Sequence, residues 1–283
     1  MVPNDFAVFV LSHGRANHML TLKTLTKCGY TGKWYIIIDN EDNQADDYYS
    51  LFGKDHVVMF DKAKKALEVD TCDMTTNRKA VIYARNSCFE IAQQLGLSTF
   101  LELDDDYTEF RMRYLEDGVL KSIYVQDMDS IINEVIEFLY CADIDCVAFS
   151  QTGDFIGGAG CKVYQERLTR KLMNSFFCRV DKPFYFIGKI NEDTNTYVLE
   201  GSRGKVFFTI ADICLNQEQT QANYGGLTDI YLELGTYVKS FYTVMTSPSC
   251  AKVAEVGVSH KRIHHWVNWN VAVPMIISDK FKK

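Results

Sequence analysis

Proline is scarce in this chain, with four prolines among 283 residues, and there is no low-complexity linker and no internal repeat. Without such breaks, one compact unit is favoured over two independent domains. Long apolar runs are also lacking, since none approaches the ~20 residues that span a bilayer. Residues 1–5 have neither the basic start nor the apolar stretch of a signal peptide. We therefore expect a cytoplasmic protein with no membrane segment.

The sequence also lacks the glycine-rich signatures of two large enzyme classes. Neither GxGxxG nor GxxxxGK[ST] occurs, so a Rossmann dehydrogenase and a P-loop enzyme are disfavoured. The nine cysteines form no CxxC pair, and their odd number argues against a disulfide framework. We interpret them as reduced core thiols of a cytosolic protein.

An excess of positive charge is absent as well, because the formal net charge is −7. Such a chain is not expected to coat nucleic acid by bulk electrostatics. A local basic groove remains compatible with this charge, and the last part of the chain contains one candidate. Its members are Lys252, His260, Lys261, Arg262, His264 and His265, followed by Lys280, Lys282 and Lys283.

The first third of the chain has the pattern of a parallel α/β sheet. Apolar runs at 6–11, 34–38 and 57–60 read as buried strands. They alternate with helical stretches, which gives the βαβαβ order of an α/β fold. After a polar loop at 61–76, the pattern predicts a helix over 77–95 and a strand over 98–103.

The second half is more mixed. The spacing of apolar residues predicts a helix over 128–140, and the composition predicts strands over 146–149 and 183–187. A helix is expected to begin at 191. The stretch 205–244, rich in Thr, Tyr, Val and Phe, is interpreted as strands and loops.

Polar clusters follow four of the predicted strands. In an open α/β sheet, ligands bind beyond the carboxyl ends of the strands, so these clusters are expected to converge on one edge. The clusters are Ser12-His13-Gly14-Arg15, Asp39-Asn40, Asp104-Asp105-Asp106 and Asn191-Glu192-Asp193.

The acidic triplet directly follows the apolar stretch 100–103. Adjacent carboxylates repel each other, so a buried cluster needs a cation. Asp104 and Asp106 point to the same side of a strand and are predicted to hold Mg²⁺ or Mn²⁺ together with phosphate oxygens. A solvated acidic turn is the alternative interpretation.

The turn after the first strand is the candidate phosphate-binding segment. Gly14 lets the backbone approach a ligand closely, and Arg15 can make forked contacts with phosphate. Ser12 and His13 complete this candidate binding segment. The alternative is a simple strand-to-helix turn with His13 as a satisfied polar residue.

Three further positions are candidate ligands of a nucleotide. Asp39 can accept hydrogen bonds from a ribose or base, or it can cap a helix. Arg85 can reach a diphosphate, although an exposed helical arginine is the favoured interpretation when it is considered alone. Asp105, between the two metal candidates, is assigned to the same site.

Two groups complete the candidate site. Glu192 or Asp193 is predicted to act as general base toward an acceptor hydroxyl; the alternative is a helix cap with acidic residues in the first turn. His264 or His265 can add an imidazole ligand to the aspartates; the alternative is a basic surface tail or a core histidine.

These segments together resemble GT-A glycosyltransferases, and more narrowly the TET-associated glycosyltransferase family of phages and related proteins. The resemblance spans nearly the whole chain. The segments that carry it are VFVLSHGRAN at 8–17, the strand 34–39, ARN at 84–86, the strand 101–106, RIHH at 262–265, WN at 269–270 and AVP at 272–274.

The resemblance implies an α/β fold of GT-A type, a Rossmann-like mixed sheet with helices on both faces and an acceptor-side lobe. It implies one domain over 1–283, with a nucleotide-sugar-binding half at 1–106 and an acceptor-binding half with a C-terminal tail at 107–283. If the protein is phage-encoded, its location is the host cytoplasm.

The family also implies a UDP-sugar donor, Mn²⁺ or Mg²⁺, and an acceptor, the hydroxymethyl group of 5-hydroxymethylcytosine in phage DNA; similar phage enzymes transfer arabinose or glucose. By resemblance, Asp104 and Asp106 match the DxD motif, Asp193 is the base of an inverting displacement, and His264 or His265 meets the metal. The competing hypotheses are transfer to a surface polysaccharide or small molecule, and a nucleotide-sugar-binding protein without turnover.

Overall fold

The computed structural model describes residues 1–73, 77–169, 171–218, 228–256 and 262–272. The strands are β1 (Phe6–Leu11), β2 (Lys33–Asp39), β3 (Val57–Phe60), β4 (Thr99–Asp104), β5 (Tyr107–Glu116), β6 (Val119–Tyr124), β7 (Cys146–Gln151), β8 (Leu168–Thr169), β9 (Ser175–Arg179), β10 (Phe207–Gln217), β11 (Ala251–Val256) and β12 (Arg262–Val267). The helices are α1 (Leu20–Lys27), α2 (Ala45–Phe52), α3 (Lys62–Lys65), α4 (Ile82–Gln94), α5 (Met128–Cys141), α6 (Lys162–Glu166), α7 (Glu192–Ser202), α8 (Thr228–Thr246) and α9 (Trp269–Ala272).

One large mixed sheet runs through the molecule in the order β3-β2-β1-β4-β9-β7-β10-β5-β6, and β8 pairs with β10. The strands β1 to β4 are mutually parallel where they pair, whereas β9 is antiparallel to both β4 and β7. The predicted Rossmann-like mixed sheet is therefore confirmed. The predicted boundary at residue 106 falls between β4 and β5 of this one sheet, and the assignment of two functional halves stays a prediction.

The strand β1 is buried on both faces because helices cover the sheet on both sides. Val8 and Val10 pack in a core with α1 and α5, whereas Ala7 and Phe9 pack in a second core with α4 and α7. Continuous apolar strands are what a doubly covered sheet requires. The predicted helices on both faces are confirmed.

Two sequence predictions in the second half are wrong. Residues 183–187 form no strand; Phe184 and Phe186 are buried in the core below α4 instead, which explains their apolar pattern. In the stretch 205–244, β10 is followed by the 19-residue helix α8. Packing of α8 against β11 and β12 overrides the strand preference of its Thr, Tyr and Val residues.

Smaller differences concern the loop before the acidic triplet and the segment after it. The predicted loop at 61–76 contains α3, which Asp61 caps by accepting from the Lys64 amide, and the following helix begins at Ile82 rather than at 77. The hairpin β5–β6 occupies a segment to which the sequence assigns no element. Within the described residues, no helix combines the length and the apolar character needed to cross a membrane.

Candidate active site

The candidate site lies where the connections of the sheet change direction. From β1 the chain proceeds to β2 and β3 on one side, while β4 pairs with β1 on the other side. In open α/β sheets, the carboxyl ends of the two strands at such a switch point form the ligand crevice. Leu11 at the end of β1 is in register with Asp104 at the end of β4. The turn that starts at Ser12 and the acidic triplet therefore meet.

Asp105 points into the protein and joins the two strand ends. Its side chain is 1% exposed, Ser12 Oγ donates to its Oδ2 at 2.5 Å, and Arg15 Nη1 lies 2.8 Å from its Oδ1. The Ser12 hydroxyl also contacts the Tyr48 hydroxyl at 2.6 Å, and the Arg15 amide donates to Tyr48 at 2.9 Å. Burial raises the pKa of Asp105 to about 6, against the opposing effects of Arg15 and Ser12. Asp105 thus fixes the turn that carries Arg15.

Asp106 differs from Asp105 because its Oδ1 is buried and accepts no hydrogen bond from any described residue. Burial, followed by the charges of Asp104 and Asp105, raises its pKa to about 7. A buried carboxylate oxygen without a donor costs free energy, and a hard divalent cation would relieve both that cost and the repulsion. Asp106 therefore fits a metal ligand.

Asp104 is partly accessible, with a side chain 30% exposed. Its Oδ1 lies 3.3 Å from Arg85 Nη2, and its Oδ2 lies 3.3 Å from the Tyr107 hydroxyl, which also donates to the Asn174 carbonyl. Within the described ranges, each oxygen of Asp104 thus has one long contact and keeps lone-pair capacity for a further ligand. Asp104 and Asp106 are the pair of the triplet that has capacity for a cation.

Arg85 of α4 is the charged centre beneath the site. Its guanidinium contacts Glu102 Oε1 at 2.5 Å, Glu192 Oε1 at 3.2 Å and Asp104 Oδ1 at 3.3 Å. Phe176 covers one part of the group, 4.7 Å from its carbon to the ring centroid. The interpretation of Arg85 as an exposed helical arginine is wrong, because the residue is 3% exposed.

The partner that sequence reasoning missed is Glu102. It lies in the middle of the buried strand β4 and is fully buried. A carboxylate within an apolar strand requires a buried cation or a shifted pKa, so the single Glu in FLEL at 100–103 was a readable signal. Burial raises the pKa of Glu102, and Arg85 counteracts this shift.

Glu192 and Asp193 form the first turn of α7 and reach the same network. Asn191 precedes them in the left-handed conformation, with φ of 55°, which Asn tolerates better than most residues. Glu192 faces Arg85, whereas Asp193 Oδ1 accepts from the Thr194 amide at 2.6 Å. Burial raises the pKa of both carboxyl groups. A carboxylate of increased basicity is suited to accept a proton.

A second polar cluster lies at the end of β2. Asp39 Oδ2 is 2.8 Å from His13 Nδ1 and 3.1 Å from Lys62 Nζ, and the Gly14 amide donates to Asp42 Oδ2 at 2.7 Å. Burial alone would raise the pKa of Asp39, but the His13 hydrogen bond and the Lys62 ammonium hold it below its ordinary value. His13 is 49% exposed, so it covers the buried Asp39 and is the group that a ligand meets first.

The two C-terminal histidines are not brought together with the aspartates. They follow each other in β12, and their ring centroids lie 4.2 Å apart. His265 Nδ1 lies 3.5 Å from Asn191 Nδ2, and burial lowers its pKa to about 4, so it is neutral at physiological pH. His264 Nδ1 contacts the His265 carbonyl. Across the described ranges, no group of three or more His, Cys, Asp or Glu side chains is arranged to hold a metal.

The structure thus gathers most predicted residues at one edge of the sheet. The strand ends carrying Ser12 to Arg15 and Asp104 to Asp106 meet directly, and Arg85 links the triplet to Glu192. The convergence of residues 191–193 holds although the strand predicted before them does not exist, because α7 begins at this edge. His260, Lys261 and the lysines at 280–283 lie outside the described residues.

Comparison with known proteins gives a family and several distant structures. The family model described as TET-Associated Glycosyltransferase matches residues 6–226. No protein with curated annotation matches the chain.

Among solved structures, the mannosyltransferase PcManGT from Pyrobaculum calidifontis, in complex with GDP-Man and Mn²⁺, is similar at 12% identity and a TM-score of 0.49, over 77% of this chain and 58% of that one. This chain thus spans less than two thirds of that protein. Glucosyl-3-phosphoglycerate synthase from Mycobacterium tuberculosis, in complex with Mg²⁺ and UDP, is similar at 10% identity and a TM-score of 0.47, over 93% and 87% of the two chains.

Proposed function

The chain belongs to the TET-associated glycosyltransferase family, and from this premise we propose that it transfers a sugar from a metal-bound UDP-sugar to the hydroxymethyl group of a modified cytosine in DNA. The glycosyltransferase class follows from the family. The donor, the metal and the acceptor are the proposal. The observation that carries it is the network in which Arg85 joins Asp104 of the triplet to Glu192 of the opposite acidic pair.

On the donor side, the residues that follow the carboxyl ends of β1 and β4 have distinct roles. Asp104 and Asp106 would hold Mn²⁺ or Mg²⁺, which when bound neutralises charge on the departing diphosphate. Arg15 is anchored through Nη1 to Asp105 and keeps other guanidinium donors for phosphate oxygens. His13 and Asp39 provide polar contacts for the nucleoside.

On the acceptor side, Asp193 is the proposed general base. The acceptor hydroxyl oxygen forms the new bond to the anomeric carbon while the bond from that carbon to the UDP oxygen breaks, and the hydroxyl proton passes to Asp193. The raised pKa of Asp193 favours this transfer. Glu192, held by Arg85, keeps the first turn of α7 in place.

A second candidate is transfer to a surface polysaccharide or to a small molecule. The net charge of −7 favours this acceptor class over DNA, because a polyanion is repelled by an acidic protein. The donor chemistry would be the same for both candidates.

The test is incubation of the protein with Mn²⁺, several UDP-sugars and 5-hydroxymethylcytosine DNA, followed by mass spectrometry of the nucleosides. A mass increase of one sugar on hydroxymethylcytosine supports the proposal. Asp193→Asn should lose transfer by at least about a hundredfold and still bind UDP in calorimetry. A wild-type protein that hydrolyses or transfers UDP-sugar but leaves every nucleoside unmodified would refute the DNA acceptor.

A further inference from the structure

Asn174, the residue before β9, lies beside the acidic triplet. The strands β4 and β9 pair in antiparallel register up to Ser175, so Asn174 lies opposite Asp104. Asn174 has φ of 61°, a conformation that Asn tolerates better than most residues. Its carbonyl accepts from the Tyr107 hydroxyl, which also contacts Asp104 Oδ2 at 3.3 Å. Asn174 is therefore held next to one of the two proposed metal ligands.

Gln217, the last residue of β10, reaches the triplet from another strand. It is in register with Tyr107, and a register shift between Asn216 and Gln217 marks a bulge. The residue after it donates its backbone amide to the Asp106 carbonyl at 3.2 Å. Bulges occur preferentially next to active sites, where they re-aim a side chain. The end of β10 is thus placed at the second proposed metal ligand.

The side chains of Asn174 and Gln217 form an amide pair, in which Asn174 Nδ2 donates to Gln217 Oε1 at 2.5 Å. Their strands are not neighbours, because β7 lies between β9 and β10 and pairs with both. The ladders through β7 already join these strands, so the sheet does not depend on this bond. The amide pair lies instead beyond the carboxyl end of β7, at the same edge as the triplet.

The amide pair keeps polar groups for a ligand. Both residues are partly exposed. In the part of the chain that the structure describes, Asn174 Oδ1 and Gln217 Nε2 have no hydrogen-bond partner. An amide oxygen accepts and an amide nitrogen donates, whereas a hydroxyl group does both. The pair is therefore complementary to the hydroxyl groups of a sugar.

The place of the amide pair in the sheet matches the order of groups in a nucleotide sugar. His13 and Asp39, which follow β1 and end β2, are assigned above to the nucleoside, and the metal ligands at the end of β4 are assigned to the diphosphate. The sheet order is β2-β1-β4-β9, so Asn174 lies on the far side of β4 from the nucleoside. A sugar attached to the diphosphate continues in this direction.

We propose that the amide pair binds hydroxyl groups of the transferred sugar and thereby selects the donor, and this inference rests on the donor site of the proposed function. A site that hydrogen-bonds a hydroxyl discriminates against a sugar that lacks or reorients it, because the polar groups of the protein then lose their partner. The pair acts on the bound donor and takes no proton in the reaction. Its contribution is therefore measurable without an acceptor.

The test measures binding of the full chain to UDP, UDP-glucose, UDP-galactose and UDP-arabinose with Mn²⁺ by calorimetry. The wild type should bind one of the three sugars most tightly. Asn174→Gly keeps the positive φ without strain, and Gln217→Met keeps the length without the amide. Each should weaken binding of the preferred donor about fivefold, as for one lost hydrogen bond, and leave the affinity for UDP unchanged. Asn216→Ala, which removes the exposed neighbouring amide, should bind all four ligands as wild type does.

Deoxy analogues of the preferred donor identify the contact. Analogues that lack the hydroxyl at C2, C3 or C4 of the sugar are compared in the wild type and in both variants. One analogue should bind the wild type about fivefold more weakly and bind Asn174→Gly or Gln217→Met with no further loss, because analogue and variant remove the same bond. Losses that are additive for every analogue would refute the contact.

The outcomes separate this inference from the proposed function. Thermal unfolding shows whether each variant is folded, and either variant alone suffices for the comparison. If the folded variants bind UDP-sugars as wild type does, if they lose affinity for UDP equally, or if the wild type does not distinguish the three sugars, the inference is refuted. Transfer of sugar to hydroxymethylcytosine by the wild type would still support the proposed function.

Two further results assign the amide pair or the acceptor. If the variants raise the KM for the acceptor at unchanged donor affinity, the pair serves the acceptor and the inference is refuted. If the variants lose affinity for the sugar but the wild type modifies no nucleoside, the inference stands and the proposed DNA acceptor is refuted.

Discussion

Replacement of Arg85 by methionine is expected to destabilise the protein by about 3–5 kcal/mol at pH 8, the range for removal of one partner from a buried ion network. Arg85 is 3% exposed and serves three carboxylates at 2.5, 3.2 and 3.3 Å. Methionine fills a similar length but leaves Glu102 fully buried without a cation. For a chain of this size, the loss corresponds to a decrease in Tm of roughly 10 °C.

The loss should depend on pH in a defined direction. Burial already raises the pKa of Glu102 and of Glu192 in the presence of Arg85. Removal of the Arg85 guanidinium should raise both pKa values further. When a carboxyl group has a higher pKa in the folded than in the unfolded protein, the protein loses stability as the pH rises from the unfolded-state pKa through the folded-state pKa. The effect of Arg85→Met should therefore be smaller at pH 5 than at pH 8.

The assay is urea unfolding of the full chain at both pH values, monitored by intrinsic fluorescence. Arg111→Met is the matched control, since Arg111 pairs with the part-exposed Glu109 at 2.7 Å and should lose about 1 kcal/mol or less. The double variant Arg85→Met with Glu102→Gln should recover part of the loss at pH 8. A loss for Arg85→Met that equals the control, or that is the same at pH 5 and pH 8, would refute the reasoning.

Two further predictions concern the metal pair and the segment before α7. Asp106, with a pKa of about 7, is about one-tenth ionised at pH 6 and about nine-tenths at pH 8, so UDP affinity with Mn²⁺ should increase about tenfold over this range. Calorimetry in two buffers of different ionisation enthalpy should show proton release that Asp106→Asn abolishes; a flat profile in the wild type would contradict the assignment. Gly188→Ala should destabilise the protein by about 2 kcal/mol or more, because its φ is +84° and a Cβ would lie 2.4 Å from Asn195 Nδ2. Gly96→Ala, at φ +68° with open space, should lose less in the same urea unfolding assay, and equal losses would show that Asn195 yields without cost.

Several parts of the fold could be predicted because their signals are local. The apolar runs of β1, β2 and β4 reflect strands covered on both faces, and the helix α5 is confirmed over almost the same residues as predicted. The helix α8 and the segment 183–187 were mispredicted because their composition reflects burial and packing partners far away in the sequence. Residue type indicates that a side chain is buried, but not which element covers it.

In the site, too, some features follow from local sequence and others depend on tertiary packing. The sequence by itself determined that Ser12 to Arg15 and Asp104 to Asp106 belong to one edge of the sheet, because parallel strands joined by right-handed crossovers place their carboxyl ends together. Only the tertiary structure decided which partners each carboxylate has. Side-chain direction in a turn and the identity of distant partners depend on packing. Packing bonds Asp105 to Ser12 and Arg15, gives Asp106 Oδ1 no donor among the residues that the structure describes, and places Arg85 between the two acidic groups.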